Sequence, residues 1–389
     1  MTAERALTTS GNATTLAEEE RVAVTGASIW GMPGQFLPYP SGAAMMRVTL
    51  PSLTMAVFWL LSLPAAAAEY KWTQVTNAAA FSKRDGAGAV TYNGKMWVLG
   101  GWSDPPQGGP GHVGYNDVWN SINGLDWTQV RPNTPNTPTV WDGRHCGGYA
   151  VFNDKMWIVG GDPLLKHYQP DIWNSSDGVH WTQVTSSAPW GQRNMQVTMV
   201  HDGKIWVMGG QTLPQFVPGV PEAFYNDVWN SSDGANWTRV TEHAPWSPRG
   251  MIQGSVVFEG RMWLLGGGTY DTPAHPNRLF YNEVWSSADG VEWRKDADAP
   301  WAPRQYHSVA VFDNKMWLMA GANFDTPEMN RNDVWYSPDG AHWTELPNTP
   351  WPTRHAGSVF VFDNHLWMVA GSHPGSTPIN DVWRLDKVR

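Results

Sequence analysis

Cysteine is nearly absent from this chain: its 389 residues include one, Cys146. An intrachain disulfide framework and a cysteine-based zinc site are thereby excluded. Charge is scarce as well. Charged residues make up 16% of the chain, with 26 lysines and arginines against 35 aspartates and glutamates, for a formal net charge of −9. With no basic block to meet phosphates, neither nucleic acid nor an anionic membrane surface is an expected partner. The sequence also lacks a Gly-rich phosphate loop, a nucleophile elbow and a metalloprotease helix. What is abundant is glycine (39), proline (30) and tryptophan (26). Disordered chains are poor in aromatics and helical bundles are poor in Gly and Pro, so this composition describes neither.

The longest apolar run, 50–63, is interrupted by Pro51 and Ser52 and is too short for a comfortable transmembrane helix. It follows Arg47 and is followed by Ala66-Ala67-Ala68, a small-x-small cleavage site. We read 45–68 as a secretory signal peptide cleaved near Ala68, with Met45 or Met46 as a normal initiator. Residues 1–44 are then a disordered extension or a mis-called start. The expected mature chain, 69–389, has 23 basic and 31 acidic side chains. It is expected to be exported, periplasmic or secreted, monomeric, and without a membrane span once the signal is removed.

Self-similarity organises that chain. Six units share the order Arg, a strand ending in Trp and two small residues, Asn-Asp-Val-Trp or a close variant, then a turn. The leading arginines are Arg84, Arg144, Arg193, Arg249, Arg304 and Arg354. The next Trp follows thirteen residues later in five units and fourteen after Arg249, which predicts a one-residue bulge in that strand. Each unit contains four short runs of β-branched and aromatic residues bounded by turn residues, the pattern of a four-stranded antiparallel blade. Trp173 and Trp181 stand eight apart, as do their counterparts in four other units. A three-residue loop ending with Gly178 in the left-handed conformation would set them directly opposite each other on one face. The sixth unit ends without its last strand, whereas 71–75, Lys-Trp-Thr-Gln-Val, matches that strand in the other units. The expected fold is therefore an all-β, six-bladed β-propeller whose N-terminal strand completes the last blade and closes the ring, leaving no open sheet edge.

Apolar residues before a double glycine, followed by two spaced aromatics, resemble the Kelch repeat family across nearly all of 69–389. Ala320 and Ala370 replace the first glycine in the last two units. The resemblance implies a propeller that serves as a binding scaffold or an enzyme. It also implies that the loops after the small pair, and the residue after each Arg, open onto one face around the central channel. Those loops, 102–115, 162–169, 211–225, 269–281, 322–331 and 372–379, vary most between units and hold Trp102, His112, Tyr168, Phe216, Tyr270, His275, Phe280 and Phe324. An aromatic rim of this kind suits sugar rings or peptide side chains. The residues after each Arg are Asp85, His145, Asn194, Gly250, Gln305 and His355, predicting a hydrogen-bonding floor beneath the rim. The arginines, and the acidic residues Asp117, Asp171, Asp227, Glu283, Asp333 and Asp381, recur in every unit and are expected to be structural.

A local stretch, Arg304-Gln305-Tyr306-His307-Ser308, is similar to the copper-binding stretch of galactose oxidase-type oxidases. That similarity implies copper ligands at Tyr306 and His307, with His145 and His355 supplying further nitrogen and Cys146 at the place of the family's cross-linking cysteine. Met195 stands where the chemistry requires a second tyrosine, so Tyr306 and His307 are expected to line a pocket rather than bind metal, and no cofactor is expected. Glu222, Glu283, Glu292 and Glu328 form no repeated carboxylate pair of the sort a glycosidase holds ~5–9 Å apart. The function expected is binding of a glycan or protein through the loop face. A carbohydrate-active enzyme, either a galactose oxidase-like oxidase or a sialic-acid epimerase-like isomerase, is the alternative, and an envelope assembly scaffold is a third reading.

Overall fold

The blades begin at turns that the sequence dictates. Asp313 and Asn314 both adopt left-handed backbone (φ 49° and 52°) and join Ser308–Phe312 to Lys315–Met319 in unbroken antiparallel register. Two consecutive positive φ values match the twist of a tight hairpin, and Asn, Asp and Gly accept them at low cost. The computed structural model describes residues 69–103, 113–134, 139–161, 167–250, 254–375 and 377–388. The predicted signal segment 45–68 and residues 1–44 lie outside them.

Six four-stranded antiparallel sheets make up the propeller, with no helix among the described residues. Each innermost strand lies against that of the next blade, and the sixth returns to the first. Blade 6 is built from Ser358–Phe362, His365–Val369, Val382–Lys387 and, as its outer strand, Tyr70–Thr76. The closing register places Trp72 opposite Leu385 and Gln74 opposite Trp383. The hydrophobic clusters lie between blades: Trp97 and Leu99 of blade 1 pack with Met156, Ile158 and Trp173 of blade 2. Closure is thus a packing requirement as well as a hydrogen-bonding one.

The recurring arginines and carboxylates prove to be partners. The Arg84 guanidinium grips Asp117 of its own blade at 2.7 and 2.9 Å, and also donates to the Gly100 carbonyl at 2.7 Å. The Trp119 indole N–H donates to the same carboxylate at 2.7 Å. The other blades repeat this pairing through Arg144–Asp171, Arg193–Asp227, Arg249–Glu283, Arg304–Asp333 and Arg354–Asp381. The arginine backbone ties neighbouring blades. Arg84 N–H donates to the Ile379 carbonyl at 3.1 Å, and Gly371 N–H donates to the Arg84 carbonyl at 3.0 Å.

Two local expectations need correction. Trp173 pairs with Gln183, not Trp181. The connection is neither two nor three residues long, because Ser175 and Asp177 fold it into a loop of its own. The Ser175 hydroxyl accepts the Gly178 N–H at 2.8 Å, and the Asp177 carboxylate accepts those of Val179 and His180, also at 2.8 Å. Gly178 is left-handed as expected (φ 76°), and both indoles still reach one inter-blade core. The second correction concerns the extra residue after Arg249. It does not bulge the strand: Ser255–Phe258 pairs with Arg261–Leu265 without a break. The surplus falls before Ser255, where 251–253 lie outside the described residues.

A further aromatic series was not singled out from the sequence. Phe81, Trp141, Trp190, Trp246, Trp301 and Trp351 each precede an arginine by three residues and meet the Trp of their own blade's outer strand edge-on. In blade 6 that partner is Trp72, at 5.8 Å between ring centroids and 90° between planes, so the N-terminal strand supplies the missing ring as well as the missing ladder.

Candidate functional site

Among the described residues, the residue after the arginine is held by a reciprocal backbone pair in five of the blades. Asp85 exchanges hydrogen bonds with Trp102 at 2.9 and 3.0 Å, Asn194 with Gln211 at 3.0 Å both ways, and His355 with Ser372 at 3.0 and 2.9 Å. These pairs root those rim loops directly above the channel mouth. The next residue is left-handed in all five blades where it is described: Gly86, Cys146, Met195, Tyr306 and Ala356 have φ between 50° and 59°. Their amides link around the axis, from Ala356 N–H to the Tyr306 carbonyl, Gly86 N–H to that of Ala356, and Cys146 N–H to that of Gly86, at 2.8–3.1 Å. Positive φ is costly for Tyr, Met and Cys, and strain of this kind gathers where a scaffold must aim particular groups.

Above this ring lies a cavity of about 320 Å³ lined by polar and aromatic side chains. Asp85, His145 and His355 are among the polar ones. Phe216, Tyr270, Tyr306 and Phe324 form a chain of edge-on contacts from Phe216–Tyr270 (5.6 Å) to Tyr306–Phe324 (5.8 Å), and the His355 ring meets Tyr306 at 5.5 Å and Phe324 at 5.8 Å. Trp102 stacks on His145 at 6.0 Å, and Asn194 and Met195 complete the lining together with Cys146 and Ala356. Arg278, from the 269–281 loop, also reaches the cavity.

Three buried groups here, His355, Tyr306 and Tyr270, are biased toward their uncharged forms. Burial, followed by the neighbouring His145, pushes the His355 imidazole down to about 4. Asn330 fixes its tautomer: the amide NH₂ is committed to the Ser372 carbonyl (3.0 Å), so its oxygen accepts from His355 Nδ1 at 3.1 Å. His355 Nε2 is then the acceptor, 3.9 Å from Asp85 Oδ2. Burial raises the Tyr306 and Tyr270 phenols above their ordinary range, and their hydroxyls bond to each other.

Nine of the residues picked from the sequence line this cavity: Asp85, His145, Asn194, Tyr306, His355, Trp102, Phe216, Tyr270 and Phe324. Gln305, His307 and Tyr168 do not. Gln305, 1% exposed, packs against Gly268 while the Tyr306 ring takes that sector of the mouth. His307 turns between blades, beside Trp301 and Gly254. The Tyr168 hydroxyl accepts the Leu213 N–H at 2.7 Å and ties two rim loops together. Of the remaining rim residues, His275 is exposed and paired with Glu222 at 2.5 Å, and His112 lies outside the described residues. The copper ligand set implied by the local resemblance does not assemble, because Tyr306 faces the cavity and His307 faces away from it. Among the described residues, no three His, Cys, Asp or Glu come together in a way that could hold a metal ion. A larger, more open groove of about 730 Å³ lies beside Trp190 and Trp229, over the Arg193–Asp227 pair. Its lining is largely the repeated scaffold, which argues against a dedicated site.

His307 makes a measurable prediction. Burial, then the Arg304 guanidinium, pushes its imidazole down to about 3 from an ordinary value of 6.5. The folded state therefore refuses a proton that the unfolded chain accepts, and stability falls as pH drops from about 6.5 toward 3. Between pH 6.5 and 4.5 the contribution is about 2–3 kcal/mol. Urea unfolding at pH 7 and pH 4.5 should show a smaller acid loss for His307→Gln than for the wild type, and equal losses would refute the assignment.

Fold and site together define a six-bladed β-propeller with a small cavity at its channel mouth, lined by aromatic and polar side chains. No family model matches the chain. Among curated proteins it is similar to N-acetylneuraminate epimerase of Escherichia coli O139:H28 (strain E24377A / ETEC), at 23% identity over 216 residues, 48% of this chain and 56% of that protein. It is also similar to the leucine-zipper-like transcriptional regulator 1 homolog of Drosophila melanogaster, at 27% identity over 148 residues, 36% of this chain and 14% of that protein. The chain thus spans about half the length of the epimerase relative and a small part of the Drosophila protein. The solved structure of YjhT has the same fold, with a TM-score of 0.58 at 16% identity over 77% of this chain and 94% of that one.

Proposed function

We propose that this chain is an exported Kelch-type propeller that binds a single sugar ring in its axial cavity. The observation that carries this reading is the combination of aromatic (Phe216, Tyr270, Tyr306, Phe324) and polar (Asp85, His145, His355) side chains around one cavity of about 320 Å³. A pyranose offers both complements, C–H surface for the rings and hydroxyls for the acceptors. The volume suits a small molecule better than a protein segment, which favours the glycan over the protein partner. Export is supported by the charged, apolar and small-residue order of 45–68.

Isomerisation of a sugar at the same place is a second reading. It is favoured by the uncharged His355 acceptor facing the cavity and by the likeness to proteins named N-acetylneuraminate epimerase. Titration of the full chain with a panel of monosaccharides, followed by calorimetry, tests the first reading. We expect saturable one-to-one binding that weakens at least ten-fold in Phe324→Ala, about 1.4 kcal/mol or more, with the melting temperature of the variant reported alongside. Failure of every sugar to bind removes this reading. Exchange spectroscopy on the two anomers of any sugar that binds then separates catalysis from binding alone.

A further inference from the structure

Hydrogen-bond direction at the axial cavity bears on how a ligand is held there. The Tyr270 and Tyr306 hydroxyls bond to each other. Each phenol carries one proton, and their mutual bond uses one of the two. The other O–H meets no further acceptor among the described residues, although both tyrosines line the cavity. His355 is the converse case. Its ring proton is committed to the Asn330 oxygen at 3.1 Å, and the Ser372 carbonyl, 3.0 Å from the Asn330 NH₂, holds that amide the right way round. Nε2 keeps a lone pair. The Asp85 carboxylate stands 3.9 Å from it, beyond hydrogen-bond reach, and no N–H or O–H of the described residues donates to it. Burial preserves both roles near neutral pH: it raises the two phenols and, with His145 beside it, pushes the imidazole down to about 4. The His355 ring packs on Tyr306 at 5.5 Å, so the unused proton and the unused lone pair border one cavity. Unmatched donors and acceptors in a buried site cost free energy that a ligand matching them recovers.

We infer that the sugar is held by two contacts of fixed direction: the unused phenolic proton of the Tyr270–Tyr306 pair donates to one ligand oxygen, and a ligand hydroxyl donates to His355 Nε2. Asn330 is the positioning residue that sets the second direction. The inference rests on the sugar-binding reading above and deepens it, because it requires a free hydroxyl on the ligand at the imidazole and only an acceptor oxygen at the phenols.

Two measurements on the full chain test it. Nitrogen NMR of labelled histidines at pH 7, assigned with His355→Gln, should show His355 protonated at Nδ1 and bare at Nε2 before any sugar is added. The reverse pattern, or an imidazolium, overturns the inference without touching the sugar-binding reading. In Asn330→Leu the two nitrogens should share the proton, and an unchanged pattern would show that Asn330 does not set the tautomer. Calorimetry then takes methyl galactoside, methyl glucoside, methyl mannoside and N-acetylglucosamine, and for the tightest of them the analogues in which each oxygen, the ring oxygen included, is removed or replaced in turn. Loss of one hydroxyl should weaken binding at least ten-fold in the wild type and less than three-fold in His355→Phe. Loss of a second oxygen should behave in the same way in the double variant Tyr270→Phe with Tyr306→Phe. Penalties that keep their full size in both variants overturn the inference and leave the sugar-binding reading standing. If none of the four parent sugars binds, the sugar-binding reading fails and the inference fails with it.

Discussion

Replacing Arg84 with alanine is expected to cost about 3–5 kcal/mol of stability, because it strands a buried carboxylate. The side chains of Arg84 and Asp117 are 0% and 5% exposed, so water cannot take over the lost charge. The same change removes the donors that satisfy the Gly100 carbonyl at 2.7 Å and the Ser82 carbonyl at 2.9 Å. Trp119, whose indole N–H donates to Asp117 at 2.7 Å, keeps its partner, but that one neutral donor does not replace the guanidinium. Two comparisons sharpen the expectation. Arg84→Met combined with Asp117→Leu removes both charges and should recover a substantial part of the loss, since an apolar replacement of a buried pair is often tolerated. Arg249→Ala should cost less than Arg84→Ala, because Glu283 is 21% exposed and is also held by Lys295 at 3.3 Å. Urea unfolding of the four proteins measures all of this. A penalty below about 1 kcal/mol for Arg84→Ala would mean that the pair is idle, as many exposed ion pairs are.

Deleting 69–76 should abolish the cooperatively folded monomer. Val382–Lys387 would become an open edge, a template for pairing with a second chain. Trp351, 1% exposed, would lose Trp72 from its edge, and the inter-blade core containing Tyr70, Trp72, Trp317 and Leu385 would be cut open. A polar seal would go too. The Tyr70 hydroxyl donates to Asp313 at 2.6 Å and accepts from Lys315 at 2.7 Å, bridging blade 6 to the hairpin of blade 5. The milder variant Trp72→Ala should fold but lose about 3–5 kcal/mol, the range for a large aromatic removed from a core. Size-exclusion chromatography and near-ultraviolet circular dichroism distinguish the outcomes. A truncated chain that stays monomeric and unfolds like the parent would show that the ring does not depend on its first strand.

The blade count and the closing strand were legible because every blade solves the same packing problem with the same residue types. Thirteen residues from Arg to Trp encode a tight hairpin, and the missing strand of the sixth unit could be found by matching Lys71-Trp72-Thr73 to the others. The Trp173–Trp181 register was not legible, because an eight-residue spacing does not reveal that Ser175 and Asp177 spend their side chains on the intervening loop. The aromatics from Phe81 to Trp351 were visible in the letters but fell before the arginine that marked the start of each unit. At the site, the residues that differ between blades were the informative ones, and most of those chosen gather at one cavity. Three groups escaped. Arg278 belongs to a rim loop whose length and sequence differ from those of the other units. Nothing about Met195 or Cys146 as residue types announces a left-handed backbone. Gln305 and His307 flank Tyr306 and share its polarity, yet only the tyrosine lines the cavity, and nothing in the residue types reveals the left-handed backbone at Tyr306 (φ 57°) that separates the three side chains.

The seam in blade 6 has one more consequence. The Val388 amide donates to the Glu69 carbonyl at 2.7 Å, so the two ends of the described chain lie within a single hydrogen bond of each other. A chain cut before Glu69 would have ends so placed that circular permutants are feasible. Spliced at that point and opened instead between Asp339 and Gly340, the same polypeptide would begin its circuit elsewhere and still return to meet itself, because the circle has no privileged origin.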